Sequence, residues 1–159
     1  MTITLRFLQI FALGTWVGSI FYFSAAVAPA AFRVLQNQDQ AGVLVEFTLR
    51  RLHTLGVVAA IVFLFATALL AVASPASTKS LMLPAIGVSL MLILTVISQH
   101  VVIRRMMQLR REMVSVAAMP PDNPLRVEFN RLHGVSVRLE GSVLLLGFAS
   151  LFLTVRKLP

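Results

Sequence analysis

The sequence predicts an all-α fold: an integral membrane four-helix bundle of up-down-up-down order, built from one domain over residues 1–159. Three observations predict it. Apolar residues make up 58% of the 159-residue chain and charged residues 13%, against roughly 45–50% and 25% in ordinary globular chains. A body this small buries too little of its surface to hide that excess, so a bilayer is the expected solvent. Four segments reach the length of about 20 mostly apolar residues that a membrane crossing needs.

The first span covers about 7–32. Its Ala26-Val27-Ala28 resembles a signal-peptide cleavage site. A signal core is only about 7–15 residues long, and this run is well beyond that, so it is expected to stay as a helix. The second span covers about 54–74 and the third about 81–103. The fourth covers about 134–155 and carries two charges, Arg138 and Glu140. Pro29, Pro75, Pro120-Pro121 and Pro124 mark ends or joints.

Helices two to four are expected to continue past the membrane on one side. Asn123-Pro124 is a start signal for helix four, with Asn as N-cap and Pro at the first helical position. Asp39 is expected to cap helix two in the same way. "RRMMQLRREM" at 104–113 extends helix three as a basic stalk, and 117–123 form the turn. Met106, Met107 and Met113 read as an apolar face of that stalk rather than a copper ladder.

An even number of spans puts both termini on one side. That side carries Arg6, Lys79, Arg156 and Lys157. The other carries Arg33, Arg50, Arg51, Arg104, Arg105, Arg110, Arg111, Arg126 and Arg131. Short loops rich in Lys and Arg stay in the cytoplasm, so loops 1–2 and 3–4 are expected there and the termini outside, in a bacterial inner membrane. The net charge of +8 then reads as attraction to anionic lipid headgroups, at about 1 kcal/mol per basic residue, and not as nucleic-acid binding. There are no cysteines, which excludes disulfides, thiolate metal sites and thiol catalysis. No phosphate-binding loop, dinucleotide fingerprint, zinc-protease motif or serine-triad arrangement is present, so nothing in the chain reads as a soluble catalytic domain.

The polar residues inside the spans are few and placed alike. "RLHTLG" at 51–56 and "RLHGVS" at 131–136 each stand at the mouth of an apolar run. His53, His100 and His133, the three histidines of the chain, fall at similar depth on the Arg-rich side. Helical spacing puts Glu46, Arg50 and His53 on one face, His100, Arg104 and Arg111 on another, and Asn130, His133, Ser136 and Glu140 on a third. These stripes are expected to face each other. Arg138 and Glu140 are two apart and do not pair. Arg138 can lean back to the headgroups, whereas Glu140 is deeper and shorter, and a carboxyl there is a functional-site candidate by default. His53, His100 and His133 suit a transition metal, two of them suit a haem iron, and His with Glu140 suits a proton. The residues leave these three open. Gly14 and Gly18 form a G-x-x-x-G that allows close helix approach, to another span or to another copy. Trp16 and Tyr22 are expected as bundle contacts.

"LGTWVGSIFYFSAAVAPAAFRVL" and "FNRLHGVSVRLEGSVLLLG" resemble the TMEM205-like family, the bacterial DUF4149 proteins, which are similar in turn to the copper-resistance protein D group. Trp16, Val17, Gly18, Ala28, Pro29, Ala30, Phe129, His133 and Ser136 carry the resemblance. It implies a four-helix membrane protein without a settled biochemical role. The family pattern often has Asn where this chain has Glu140, which implies a proton- or cation-binding variant. Three functions follow. One is a module that binds or moves a metal ion, haem or proton at His53, His100, His133 and Glu140, with Arg50, Arg104, Asn130 and Ser136 in support. Another is an accessory subunit of a homo-oligomer or larger membrane complex. The third is a membrane enzyme that uses His133 and Glu140, which share a face, as acid and base.

Overall fold

A computed structural model describes residues 2–74, 78–113 and 115–156. Pro75 and Lys157, which enter the expectations above, lie outside the described residues. The described chain is helical with four long helices: α1 (Thr2–Val34), α2 (Gln38–Ala73), α3 (Thr78–Glu112) and α4 (Pro124–Val155). Each is long and apolar enough to cross a membrane, and the chain is a multi-pass integral membrane protein. At 32 to 36 residues each, they measure roughly 50 Å at 1.5 Å per residue. The hydrocarbon core is about 30 Å thick, so each helix overruns it.

Local chemistry sets the ends. Asn123 caps α4 through its side chain, which accepts from the Leu125 amide, and Pro124 follows as the first helical residue. At α2 the cap is Asn37, not Asp39. The Asn37 side chain accepts from the amides of Asp39 and Gln40. Asp39 is the second residue of the helix and is used elsewhere. Pro29 does not end α1, which runs on to Val34 after a π-helical stretch at Phe23–Val27. α3 carries a second such stretch at Ser98–Ile103. A π turn adds a residue to the helical turn and rotates everything beyond it.

The helices form a four-helix bundle in which α1 packs on α2 and α4, and α3 packs on α2 and α4. α2 and α4 therefore stand diagonally across the centre. Leu13, Trp16, Ile20, Phe63, Val88, Met91 and Val143 fill the interior. Phe7, Phe11, Phe65, Phe148 and Phe152 are exposed on the outside. Tyr22 is also exposed, so only Trp16 of the expected aromatic pair is a bundle contact.

Lipid tails are as apolar as Leu, so burial alone does not hold such helices together, and close packing of small residues must contribute. Three glycines do this. A Cβ at Gly56 would collide with the Trp16 indole, one at Gly87 with the Ser150 hydroxyl, and one at Gly147 with Val17 and Met91. Gly14 and Gly18, the pair singled out by sequence, meet nothing else within reach of a Cβ.

Beyond the apolar bundle, one end carries a polar collar. Leu109, Met113 and Phe129 form a small core there with Met106. The Asp39 carboxylate accepts from the Ser115 hydroxyl at 2.5 Å and the Val116 amide at 3.1 Å, holding the α3–α4 connection against α2. The Ser115 bond in particular holds the Asp39 carboxyl below its ordinary range. Arg110 lies over the Phe129 ring and 3.9 Å from Glu46. Burial pushes the Glu46 carboxyl up, against the opposing pull of Arg110. Arg105 and Glu128 form a two-pronged ion pair between α3 and α4.

Candidate functional site

At the centre of the bundle His53 Nε2 lies 2.5 Å from Glu140 Oε1. The side chains are 1% and 12% exposed. α2 supplies the histidine and α4 the glutamate, so the contact spans the diagonal of the bundle. Two side chains meet there only if both aim at the centre. Neither oxygen nor bare nitrogen can donate, so a contact this short needs a proton between the two atoms. The hydrogen bond between them uses one proton, carried by one atom or the other.

His53 Nδ1 is fully buried and has no hydrogen-bond partner among the described residues. Trp16 Nε1 and Ser98 Oγ share that condition. They stand near the pair. Trp16 Nε1 packs on Gly56, one turn from His53 on the same face of α2. Ser98 lies two turns beyond Met91, which packs on Gly147, and Glu140 lies two turns before Gly147. Both π-helical stretches begin nearby, at Phe23 and Ser98. Such turns are frequent at functional sites.

The structure brings together only part of the expected constellation. His53 and Glu140 meet, and Ser136 is buried one turn from Glu140. His100, His133, Arg50, Arg104 and Asn130 are exposed. Helical phase explains His100: Met91, Thr95, Ser98 and Val102 form the inward stripe, and His100, two residues past Ser98, falls about 200° round the helix on the outer face. His133 is exposed because the end of α1, Ala28–Val34, packs on α2 and leaves that part of α4 uncovered. Arg138 is exposed and its Nε donates to the Gly134 carbonyl one turn back. Arg50 Nη1 lies 3.9 Å from Met107 Sδ. Among the described residues no three His, Asp or Glu side chains gather as metal ligands. One imidazole and one carboxylate fall short of the three or four protein ligands that zinc-type sites use.

Sequence reasoning missed Trp16, Gly56 and Ser98 as neighbours of His53. It also missed a second buried pair, Gln9 and Thr67, with Gln9 Nε2 donating to Thr67 Oγ1 at 2.6 Å. A lone Gln in an apolar run was the available signal.

Residues 11–115 match the family described as Domain of unknown function (DUF4149). The chain belongs to this family. The matched region holds Trp16, His53, Gly56 and Ser98, and ends before Glu140. No match was found among curated proteins or among solved structures.

Proposed function

We propose that this DUF4149 protein binds and exchanges a proton inside the membrane at the His53–Glu140 pair. The observation that carries the reading is the 2.5 Å contact between a fully buried imidazole and a nearly buried carboxyl. A proton needs no third ligand, whereas a metal ion or an axially ligated haem needs groups that His100 and His133, on the outside, do not bring to the pair.

The proposal includes the orientation of the bundle. Gln9 meets Thr67 and Trp16 meets Gly56, while Gly87 meets Ser150 and Met91 meets Gly147. In each pair one number rises as the other falls, which supports an up-down-up-down order with both termini on one side. The basic collar is then cytoplasmic, in a bacterial inner membrane, and lies against anionic headgroups. His53 and Glu140 sit toward that side. The likeness to TMEM205-type proteins, carried by His133 and Ser136 of α4, fits the same arrangement.

The test is infrared difference spectroscopy of purified protein in lipid, stepped in pH. A carboxyl band that appears and disappears with pH in the wild type and is lost in Glu140→Gln is expected. A spectrum identical in the two proteins overturns the reading. The second reading is an accessory subunit, favoured by the open Gly14–Gly18 face of α1. It predicts cross-linking through α1, to another copy or to a larger membrane protein, that bulky substitutions at both glycines abolish.

A further inference from the structure

We infer that the pair exchanges its proton with the side of the membrane that holds the termini, along a line of buried polar groups in the bundle axis. The inference rests on the proton-binding reading above and adds the direction of access. It starts from a small cavity at that end of the bundle. The cavity has a volume of about 10 Å³ and is lined by Arg6, Gln9, Ser80 and Thr154 among others. That is room for about one water molecule.

Gln9 has its orientation dictated by its partner. The Thr67 hydroxyl spends its one hydrogen on the Phe63 carbonyl at 2.7 Å. It can therefore only accept from Gln9, so Gln9 must present its NH₂ group to Thr67. The Gln9 carbonyl oxygen is then turned away, is fully buried, and has no partner among the described residues. A buried acceptor of this kind is costly unless something donates to it, and the adjoining cavity has room for a water that would.

The remaining unpartnered polar atoms of the apolar core continue from there. Trp16 Nε1 lies two turns along α1 from Gln9, roughly 10 Å at 1.5 Å per residue. Ser98 Oγ and His53 Nδ1 follow at the level of the pair. On α2 the interval from Thr67 to His53 is four turns, roughly 20 Å, with Trp16 set between them. The series offers an acceptor, a donor, a hydroxyl that does both, and finally the free side of the imidazole. Leu13, Ala60 and Phe63 pack the interval between Gln9 and Trp16, so the route requires water molecules admitted past them, which bridge these groups and carry a proton by successive O–H exchange. The proton binds at His53 Nδ1 while Nε2 keeps its bond to Glu140, and leaves by the reverse steps.

Both directions are packed with apolar side chains, and they differ in buried polar groups. Toward the collar the inward groups next to the pair are Leu49, Leu52 and Ile103, all buried. Beyond them lies the core of Leu109, Met113 and Phe129. Ser136 is the one buried hydroxyl there among the described residues. The charged and titratable groups of the surrounding helices stand clear of the pair. Arg50, His100, Arg104, His133 and Arg138 are exposed, and Glu46 is engaged with Arg110. Arg6 is at the cavity mouth.

Trp16 is the only tryptophan of the chain, so its emission reports on this axis without labelling. The experiment uses the full chain in vesicles of one known orientation, with the pH stepped on either face. A step on the termini side is expected to change Trp16 emission, because a protonated imidazole quenches a nearby indole. Gln9→Leu is expected to slow that response at least tenfold, and Glu140→Gln to abolish it. Ser98→Ala is the second variant, expected to slow the response as well, and decides the matter if Gln9→Leu does not fold. Wild-type rates in folded Gln9→Leu or Ser98→Ala overturn the route. A response only to the collar-side step overturns access from the termini side and leaves the pair as a proton site. No response from either side, or an unchanged response in Glu140→Gln, overturns the proton-binding reading itself.

Discussion

Replacing Glu140 by Leu removes the single protein partner of a histidine that is 1% exposed. His53 Nδ1 already has no partner, so Glu140→Leu leaves both ring nitrogens buried and unbonded. A buried polar group stripped of its bond costs about 1–3 kcal/mol. The reverse variant, His53→Leu, leaves the carboxyl of Glu140, which is 12% exposed and can take up a proton to become neutral. Glu140→Leu is therefore expected to destabilise more than His53→Leu. The double variant removes the polar atoms together and puts well-shaped apolar groups in their place, a change that is often neutral or stabilising by about 1–4 kcal/mol. The double variant should thus be more stable than the sum of the singles predicts, with a coupling of about 1–3 kcal/mol, the range measured for residues in contact. The assay is unfolding by denaturing detergent, followed by Trp16 emission and circular dichroism on all four proteins. Additive single and double effects would refute the reasoning, since they mean that His53 and Glu140 do not depend on each other.

The remaining predictions concern packing, the collar and sidedness. Gly56→Ala drives a Cβ into the Trp16 indole and is expected to cost about 1–3 kcal/mol, as overpacking does, whereas Gly14→Ala and Gly18→Ala have open space and should gain up to about 1 kcal/mol from helix propensity; the same unfolding assay ranks them. Asp39→Asn weakens the hold on Ser115 and Val116, and proteolysis of the connection near Ala117 and Ala118 should quicken. Asp39 titrates lower in the folded chain than in the unfolded one, so its contribution is present above the ordinary carboxyl value of 3.8 and is lost as pH falls through the lowered value; proteolysis of the wild type should rise over that window and that of Asp39→Asn should not. Because the chain has no cysteine, a single one at Lys79 or at Asp122 reports sidedness: a membrane-impermeant thiol reagent added to intact cells should label Lys79→Cys and spare Asp122→Cys, and the opposite pattern inverts the topology.

How much of this was legible in the residues can be judged helix by helix. Four apolar runs announced four crossing helices because the signal is additive over about 20 residues. Asn123-Pro124 announced the start of α4 because capping is local chemistry. Asn37 was missed because Asn37 and Asp39 are both capable caps, and the cap fell to Asn37 while the Asp39 carboxylate is engaged with Ser115 and Val116. Glu140 was legible as an ionisable group too deep to reach water. Its partner was not, because three histidines lay at a plausible depth and depth says nothing about rotation.

Composition and run length by themselves determined the class of protein, the number of helices and the presence of polar groups that a bilayer would not tolerate alone. Those are sums over many residues and survive local irregularity. Only the tertiary structure decided which histidine faces inward. On α3 the inward stripe runs through Met91, Thr95, Ser98 and Val102 and leaves His100 outside. The last residues of α1 stay with α2 and leave His133 uncovered. The diagonal placement of α2 and α4 lets His53 reach Glu140. In a bilayer a helix can be apolar nearly all round, so hydropathy marks no inward face and the packing of the helices chooses among the three.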